Sequence, residues 1–222
     1  MTRRVTKRLV RLGRWLVAAL VTISVASAAF VYVRWVYRER RFDSLIVEIA
    51  AQQGADRHLI KAVMRQESGF DPFARSARGA IGLMQVTEAA GKDWARATGR
   101  KNFHREQLWD PRTNIEAGTW YLQRALNRWA DRPWDERLPF ALAEYNAGYA
   151  NVVRWLPKGR DTTSEEFMAA ITYPGVRHYI RKVTTYYEHY RERDSPPAKM
   201  GGRGLPASLP QPTLQEGRGA AR

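Results

Sequence analysis

Nineteen consecutive residues, Trp15 to Val33, carry no charge. This is close to the roughly 20 residues that an α-helix needs to cross the hydrocarbon core of a bilayer, so the run reads as a membrane span or as a signal for export. Arg14 and Arg34 bound it, and six basic residues precede it: Arg3, Arg4, Lys7, Arg8, Arg11 and Arg14. A basic excess of this kind tends to stay cytoplasmic, which places everything after the span outside the cytoplasm. Arg34, Arg38, Arg40 and Arg41 pull the other way. Trp15, Tyr32 and Trp35 stand at the two ends of the run, where amphipathic rings favour the headgroup region. The alternative is a cleavable signal peptide, because Ala26-Ser27-Ala28 has the small-residue pattern a signal peptidase accepts. Phe30 to Val33 keep the stretch apolar past that point, which favours the uncleaved anchor.

The formal net charge is +15. That raises nucleic acid as a partner, and the location of the charge decides the matter. Residues 1–41 hold ten Lys/Arg against one acid, residues 42–190 hold 21 against 18, and residues 191–222 hold six against three. The middle is nearly balanced, so no nucleic-acid partner is expected. The sequence has no cysteine, which excludes a disulfide framework and a thiolate metal site. Three regions result: a basic N-terminus with the span at 15–33 (residues 1–41), one globular domain (42–190) and a tail (191–222). From Ser195 onward Pro and Gly fill ten of 28 positions, a composition that cannot offset the entropy of ordering it.

Within the domain, apolar spacing predicts a helix from Phe42 to Gln53, capped by Asp43 or Ser44 and stopped by Gly54. A second follows from an Asp56 cap to Ser68, with Gly69 as its stop. Residues 71–86 have little periodicity and read as turns with at most a small β-hairpin. Thr87 caps a helix toward Ala97, and Asp110-Pro111 starts one of about five turns reaching Trp129. Pro133 and Pro139 bracket a connection. Leu138 to Asn146, Tyr149 to Leu156 and Val176 to Tyr190 supply three more helices, with a polar stretch at 157–165. The fold class is mostly α.

Glu67 is out of place on this pattern. It continues the stripe of Leu59 and Val63 at four-residue spacing, so a carboxylate falls on the apolar face. Burial and the negative end of the helix dipole both disfavour its charged form and push its pKa upward, toward that of a proton donor near neutral pH. The competing reading is a glutamate paired with Arg65 or Arg75, or turned to solvent at a frayed helix end.

Glu67-Ser68 is followed by Ser76-Ala77-Arg78-Gly79-Ala80-Ile81-Gly82-Leu83-Met84-Gln85, and later by Ala143-Glu144-Tyr145-Asn146-Ala147-Gly148. This ordered set resembles the catalytic domain of the soluble-lytic-transglycosylase-like family, glycoside hydrolase family 23, which is related to goose-type lysozyme. Arg177-His178-Tyr179-Ile180 is similar to that family's closing motif. The resemblance covers about residues 44–190 and implies a lysozyme-like helical domain acting on peptidoglycan. It implies Glu67 as the catalytic acid/base. It also implies a substrate groove lined by Ser68, Ser76, Gly82, Leu83, Met84, Gln85, Tyr145, Asn146 and Tyr179. Gly79 and Gly82 would admit a sugar close to the backbone or make the turns.

Most glycosidases use two carboxylates about 5–9.5 Å apart. Asp71, Glu88, Asp93 and Glu144 are the candidates for a second, and none stands in a convincing place. In the family the substrate supplies the nucleophile: the C6 hydroxyl of N-acetylmuramic acid closes on C1 and leaves a 1,6-anhydro end, with one Glu as acid and then base. A large effective molarity makes such intramolecular attack sufficient. No cofactor and no metal are expected; His178 and His189 share a helical face but lie roughly 16 Å apart. The expected partners are glycan strands, the membrane and an envelope complex. The expected location is the bacterial inner membrane with the domain in the periplasm, or the periplasm after signal cleavage. The rival readings are a hydrolytic muramidase on the same fold and a non-catalytic glycan-binding module.

Overall fold

The computed structural model describes residues 2–195, with side chains described from residue 13. The expected disorder of the tail therefore falls, from residue 196 on, outside the described residues. Among the described residues nine α-helices follow one another: α1 (Thr2–Arg40), α2 (Asp43–Gln53), α3 (Arg57–Ser68), α4 (Glu88–Ala97), α5 (Pro111–Arg128), α6 (Trp134–Ala147), α7 (Tyr149–Arg154), α8 (Ser164–Ala170) and α9 (Pro174–Asp194). Short 3-10 turns occupy Arg105–Trp109 and Gly159–Asp161. In place of a hairpin there are two isolated bridges, Arg75 to Ile81 and Ile81 to Val86.

α1 is long and apolar enough to cross a membrane, with a mean hydropathy of 2.3 over its best window. Every residue from 13 to 35 is exposed. Leu16, Val17, Leu20, Val21, Ile23, Val25, Phe30 and Val31 have no protein partner that covers them. A patch of that size is not left facing water.

The remaining helices close around α5. It packs on α2, α4 and α6, and α9 packs on α3 and α6. Apolar positions at helical spacing drive this: Ile115, Leu122, Ala125 and Leu126 of α5 are buried, as are Val176, Ile180, Val183, Tyr187 and Tyr190 of α9. Trp129 stacks on Phe140 at 4.9 Å, and Phe140 on Phe167 at 4.2 Å. Each fully buried aromatic contributes about 2–3 kcal/mol by area.

Four boundaries differ from expectation. α6 starts at Trp134, so Pro139 lies inside it. The carbonyl that its missing N–H would bond belongs to Asp135, an exposed first-turn residue that water can reach. α8 occupies part of the stretch read as polar connection, and Thr163 with Glu166 forms a reciprocal capping box at its start. α9 continues to Asp194, four residues into the region read as tail. No side chain caps α2, and Asp43 instead pairs with the buried Lys61.

Candidate active site

α3 carries Glu67 in its last turn. The Asp56 carboxylate accepts from the amides of His58 (2.8 Å) and Leu59 (3.4 Å) at the helix start. Gly69, at φ 56°, ends it with its N–H on the Arg65 carbonyl. Between them Leu59, Ile60, Val63 and Met64 are buried, which fixes the rotation of the helix and turns Glu67 inward. Burial raises the Glu67 carboxyl from the ordinary 4.5 to about 7, and the neighbouring Tyr179 phenol offsets part of that rise. No cation contributes to its titration. Arg65 is held elsewhere, its guanidinium 4.1 Å from the Tyr186 ring and 5.1 Å from the Trp35 ring. Arg75 is exposed on the following loop.

Tyr145 and Tyr179 face the same carboxylate. Burial, and then the Glu67 charge, hold both phenols well above their ordinary value. Tyr145 donates to the Met84 carbonyl at 2.7 Å. The Tyr179 hydroxyl is buried without a well-formed hydrogen bond; it lies beside Glu67 and is free to turn to a bound group.

The loop from Phe70 to Val86 forms the floor. Ser68 sends its hydroxyl proton to the carbonyls of Met64 (3.1 Å) and Leu83 (2.8 Å), tying the end of α3 to the loop. Ser76 accepts from the Ala80 amide at 3.0 Å and shapes a turn. The side-chain amide of Gln85 donates to the carbonyls of Ala74 (3.1 Å) and Gly82 (3.0 Å), which leaves its oxygen for a substrate. Leu83 and Met84 are fully buried, and the Met84 side chain belongs to the core. Met84 packs on Gly118 and Thr119 of α5, and both residues act through their backbone. Gly82 is buried too: a Cβ there would lie 2.4 Å from Asn114 Nδ2 and 2.9 Å from the Leu108 carbonyl. At φ 77° and against Asn114, the position makes the turn and packs closely. Asn146 is exposed at the rim of a pocket of ≈ 200 Å³ that Gln85, Thr87, Tyr121 and Tyr145 also line.

Two residues that sequence reasoning passed over organise this floor. Asn114 is buried; its Oδ1 accepts from the Met84 amide (2.8 Å) and its Nδ2 donates to the carbonyls of Ile81 (2.8 Å) and Leu108 (2.7 Å). Tyr121 meets the Tyr145 ring edge to face at 6.0 Å. The only signal for Asn114 is a polar residue next to the buried face of α5. Tyr121 follows Gly118 on the same face by one helical turn.

The other carboxylates are committed elsewhere. Asp71 pairs with Arg38, Glu88 with Lys92, and Asp93 with Arg96 and Arg124. Glu144 is buried and bonded by Arg128 Nε (3.0 Å) and Trp129 Nε1 (3.1 Å). Two larger hollows of ≈ 580 and ≈ 600 Å³ share Gln123 and Asn127 on the opposite face of α5, and neither contains Glu67 or Tyr145.

A glutamate whose pKa is raised to about 7, beside two buried tyrosines, has the chemistry of a group able to donate a proton near neutral pH. Residues 44–168 match the transglycosylase SLT domain, and the chain belongs to that family. Among its relatives is the membrane-bound lytic murein transglycosylase F of Desulfosudis oleivorans. The two are 35% identical over 179 residues, which is 69% of this chain and 37% of the relative. Among solved structures, an inactive variant of the lytic transglycosylase Slt of Pseudomonas aeruginosa is 31% identical. It has a TM-score of 0.60 over 68% of this chain and 24% of that one. The 70-kDa soluble lytic transglycosylase of Escherichia coli is 28% identical, with a TM-score of 0.60 over 72% and 26%. A complex of the 70-kDa soluble lytic transglycosylase with bulgecin A reaches a TM-score of 0.63 over 73% and 26%, again at 28% identity. The chain thus spans about a quarter to two fifths of the length of these proteins.

The Tyr145 bond offers a test of the floor. Tyr145→Phe leaves the Met84 carbonyl unpaired, at a cost of about 1–2 kcal/mol in stability. Turnover is expected to fall by roughly tenfold, equivalent to about 1.4 kcal/mol in the barrier. Paired thermal melts and turnover assays on glycan strands check both; unchanged turnover would remove Tyr145 from the site.

Proposed function

We propose that this chain is a peptidoglycan lytic transglycosylase, carried by one observation: a single carboxyl without a cationic partner, Glu67, buried beside Tyr145 and Tyr179 while the other candidate carboxylates are paired away. Glu67 gives its proton to the glycosidic oxygen between N-acetylmuramic acid and N-acetylglucosamine. The C1–O bond breaks, and the resulting carboxylate takes the proton of the muramic C6 hydroxyl as that oxygen closes on C1. One group serves as acid and then base, and atoms balance without water. Tyr179, whose hydroxyl has no fixed partner, is placed to hydrogen-bond the carboxylate in its charged interval. Ser68, Ser76, Gly82, Leu83 and Met84 set the shape of the groove through backbone and turns, while Gln85, Tyr145 and Asn146 face the sugar. α1 is the anchor, a single pass of the inner membrane with the basic N-terminus inside and the domain in the periplasm. The exposed run of apolar side chains supports that reading.

Mass spectrometry of digested sacculi is the test. Fragments ending in 1,6-anhydromuramic acid support the lyase, whereas reducing ends would make the protein a hydrolase. The pH profile adds a second check. Only the protonated carboxyl can act as the acid, so kcat/KM is expected to fall above about 7, by about tenfold per pH unit. A flat profile to pH 9 would exclude Glu67 as the acid.

A further inference from the structure

The junction between anchor and domain contains no linker. α1 runs without a Gly or Pro from residue 14 to Arg40, and only Arg41 and Phe42 separate it from α2. Its last two turns pack against the catalytic domain. Glu39 is 2% exposed and accepts from Arg193 of α9 at 3.1 Å, across 154 residues of sequence. Trp35 lies against Arg65, which Tyr186 and Tyr190 flank on the α9 side. Arg38 pairs with Asp71 at 3.3 Å. That last pair is half exposed and weak by itself; the buried Glu39 and the Arg65 cage make the joint. Arg65 and Asp71 stand two residues before and four after Glu67, so the anchor grips the helix end that bears the proposed acid. Phe73, two residues beyond Asp71, is 75% exposed, the most exposed large apolar side chain outside α1. Arg38 is one helical turn, about 6 Å, past Arg34, and its partner Asp71 belongs to the loop that carries Phe73.

From this geometry we infer that α1 and the domain form one rigid body, with Phe73 seated at the lipid headgroups. The cleft then keeps a fixed height above the bilayer and acts on glycan strands presented at the membrane surface. The inference rests on α1 spanning the membrane and on the proposed activity. A flexible tether would let the cleft sample strands at any distance; a continuous helix does not.

Alanine insertions between Arg34 and Trp35 test this, because they leave both the span and the joint intact. Two residues lift the domain about 3 Å and seven about 10 Å; the accompanying turn about α1 changes nothing in a bilayer that has no in-plane direction. Each full chain is reconstituted in vesicles containing glycan strands attached to a lipid, and also assayed in detergent on soluble strands. A fluorophore on Phe73→Cys, in a chain with no other cysteine, reports quenching by headgroup-labelled lipid. In detergent all three tethers are expected to cut soluble strands within twofold of one another. In vesicles the seven-alanine chain should lose at least tenfold on lipid-held strands and most of the quenching, with the two-alanine chain between it and the parent. Equal vesicle activity, or equal quenching, across the three tethers overturns the rigid joint. If no chain cuts soluble strands in detergent, the transglycosylase reading fails instead, and quenching still decides the joint.

Discussion

Replacing Glu67 by Gln is expected to lower glycan cleavage by at least about 10³-fold, since general acid–base catalysis alone contributes about 10²–10⁴ and this group acts in both directions. The same change should make the protein more stable at pH 8. The sign follows from the raised pKa: Glu67 holds its proton to about 7 when folded, against 4.5 ordinarily. Below pH 4.5 the group is protonated folded and unfolded, and the substitution changes little. Between 4.5 and 7 the unfolded chain loses the proton and the folded one keeps it, so the wild type loses stability as pH rises. Above 7 the folded protein carries an uncompensated charge that costs up to about 3 kcal/mol. Gln removes that cost, and Tm should rise on the order of 5–10 °C at pH 8 and hardly at all at pH 4. Calorimetry at the two pH values, paired with product analysis, checks both halves. Retained anhydro products would remove Glu67 from the mechanism, and a Tm gain independent of pH would refute the burial argument.

A large loss of stability is expected at Asn114→Leu. The two side chains are similar in size, but Leu leaves the Met84 amide and the Leu108 carbonyl buried without partners, and the Ile81 carbonyl with the Val86 amide alone. At about 1–3 kcal/mol for each orphaned group, the cost is on the order of 2–6 kcal/mol, a large part of the roughly 5–15 kcal/mol that holds a domain together. Tm should fall by on the order of 10 °C or more, and the Met84 amide should lose its protection against hydrogen exchange. Asn114→Asp keeps the acceptor for Met84 but sets a carboxylate oxygen against the carbonyls of Ile81 and Leu108, so at neutral pH it should lose at least as much as Leu. A Leu variant with wild-type melting would mean the loop is held by packing alone.

The helix bearing Glu67 was legible because its signals are local: an Asp cap, a four-residue stripe and a glycine stop lie within fourteen residues. The α8 capping box was equally local, yet seven residues are too few for apolar periodicity to show. Pro139 misled because proline usually marks a boundary, and the exposure of the Asp135 carbonyl that tolerates it is a tertiary fact. Asn114 bonding Ile81 and Met84, or Trp35 meeting Arg65, join residues thirty apart whose spacing carries no pattern. The burial of Leu83 and Met84 was hidden for the opposite reason. Their place in a recognisable motif suggested contact with substrate, when the motif shapes backbone.

The carbonyls of Leu83 and Met84 are bonded from opposite walls, one by Ser68 of α3 and the other by Tyr145 of α6. Successive Cα atoms are about 3.8 Å apart, so one peptide unit acts as a gauge block between the walls. The ends of α3 and α6 are thus tied to one another through a single peptide unit and two hydrogen bonds, so a shift of either helix end is felt by the other.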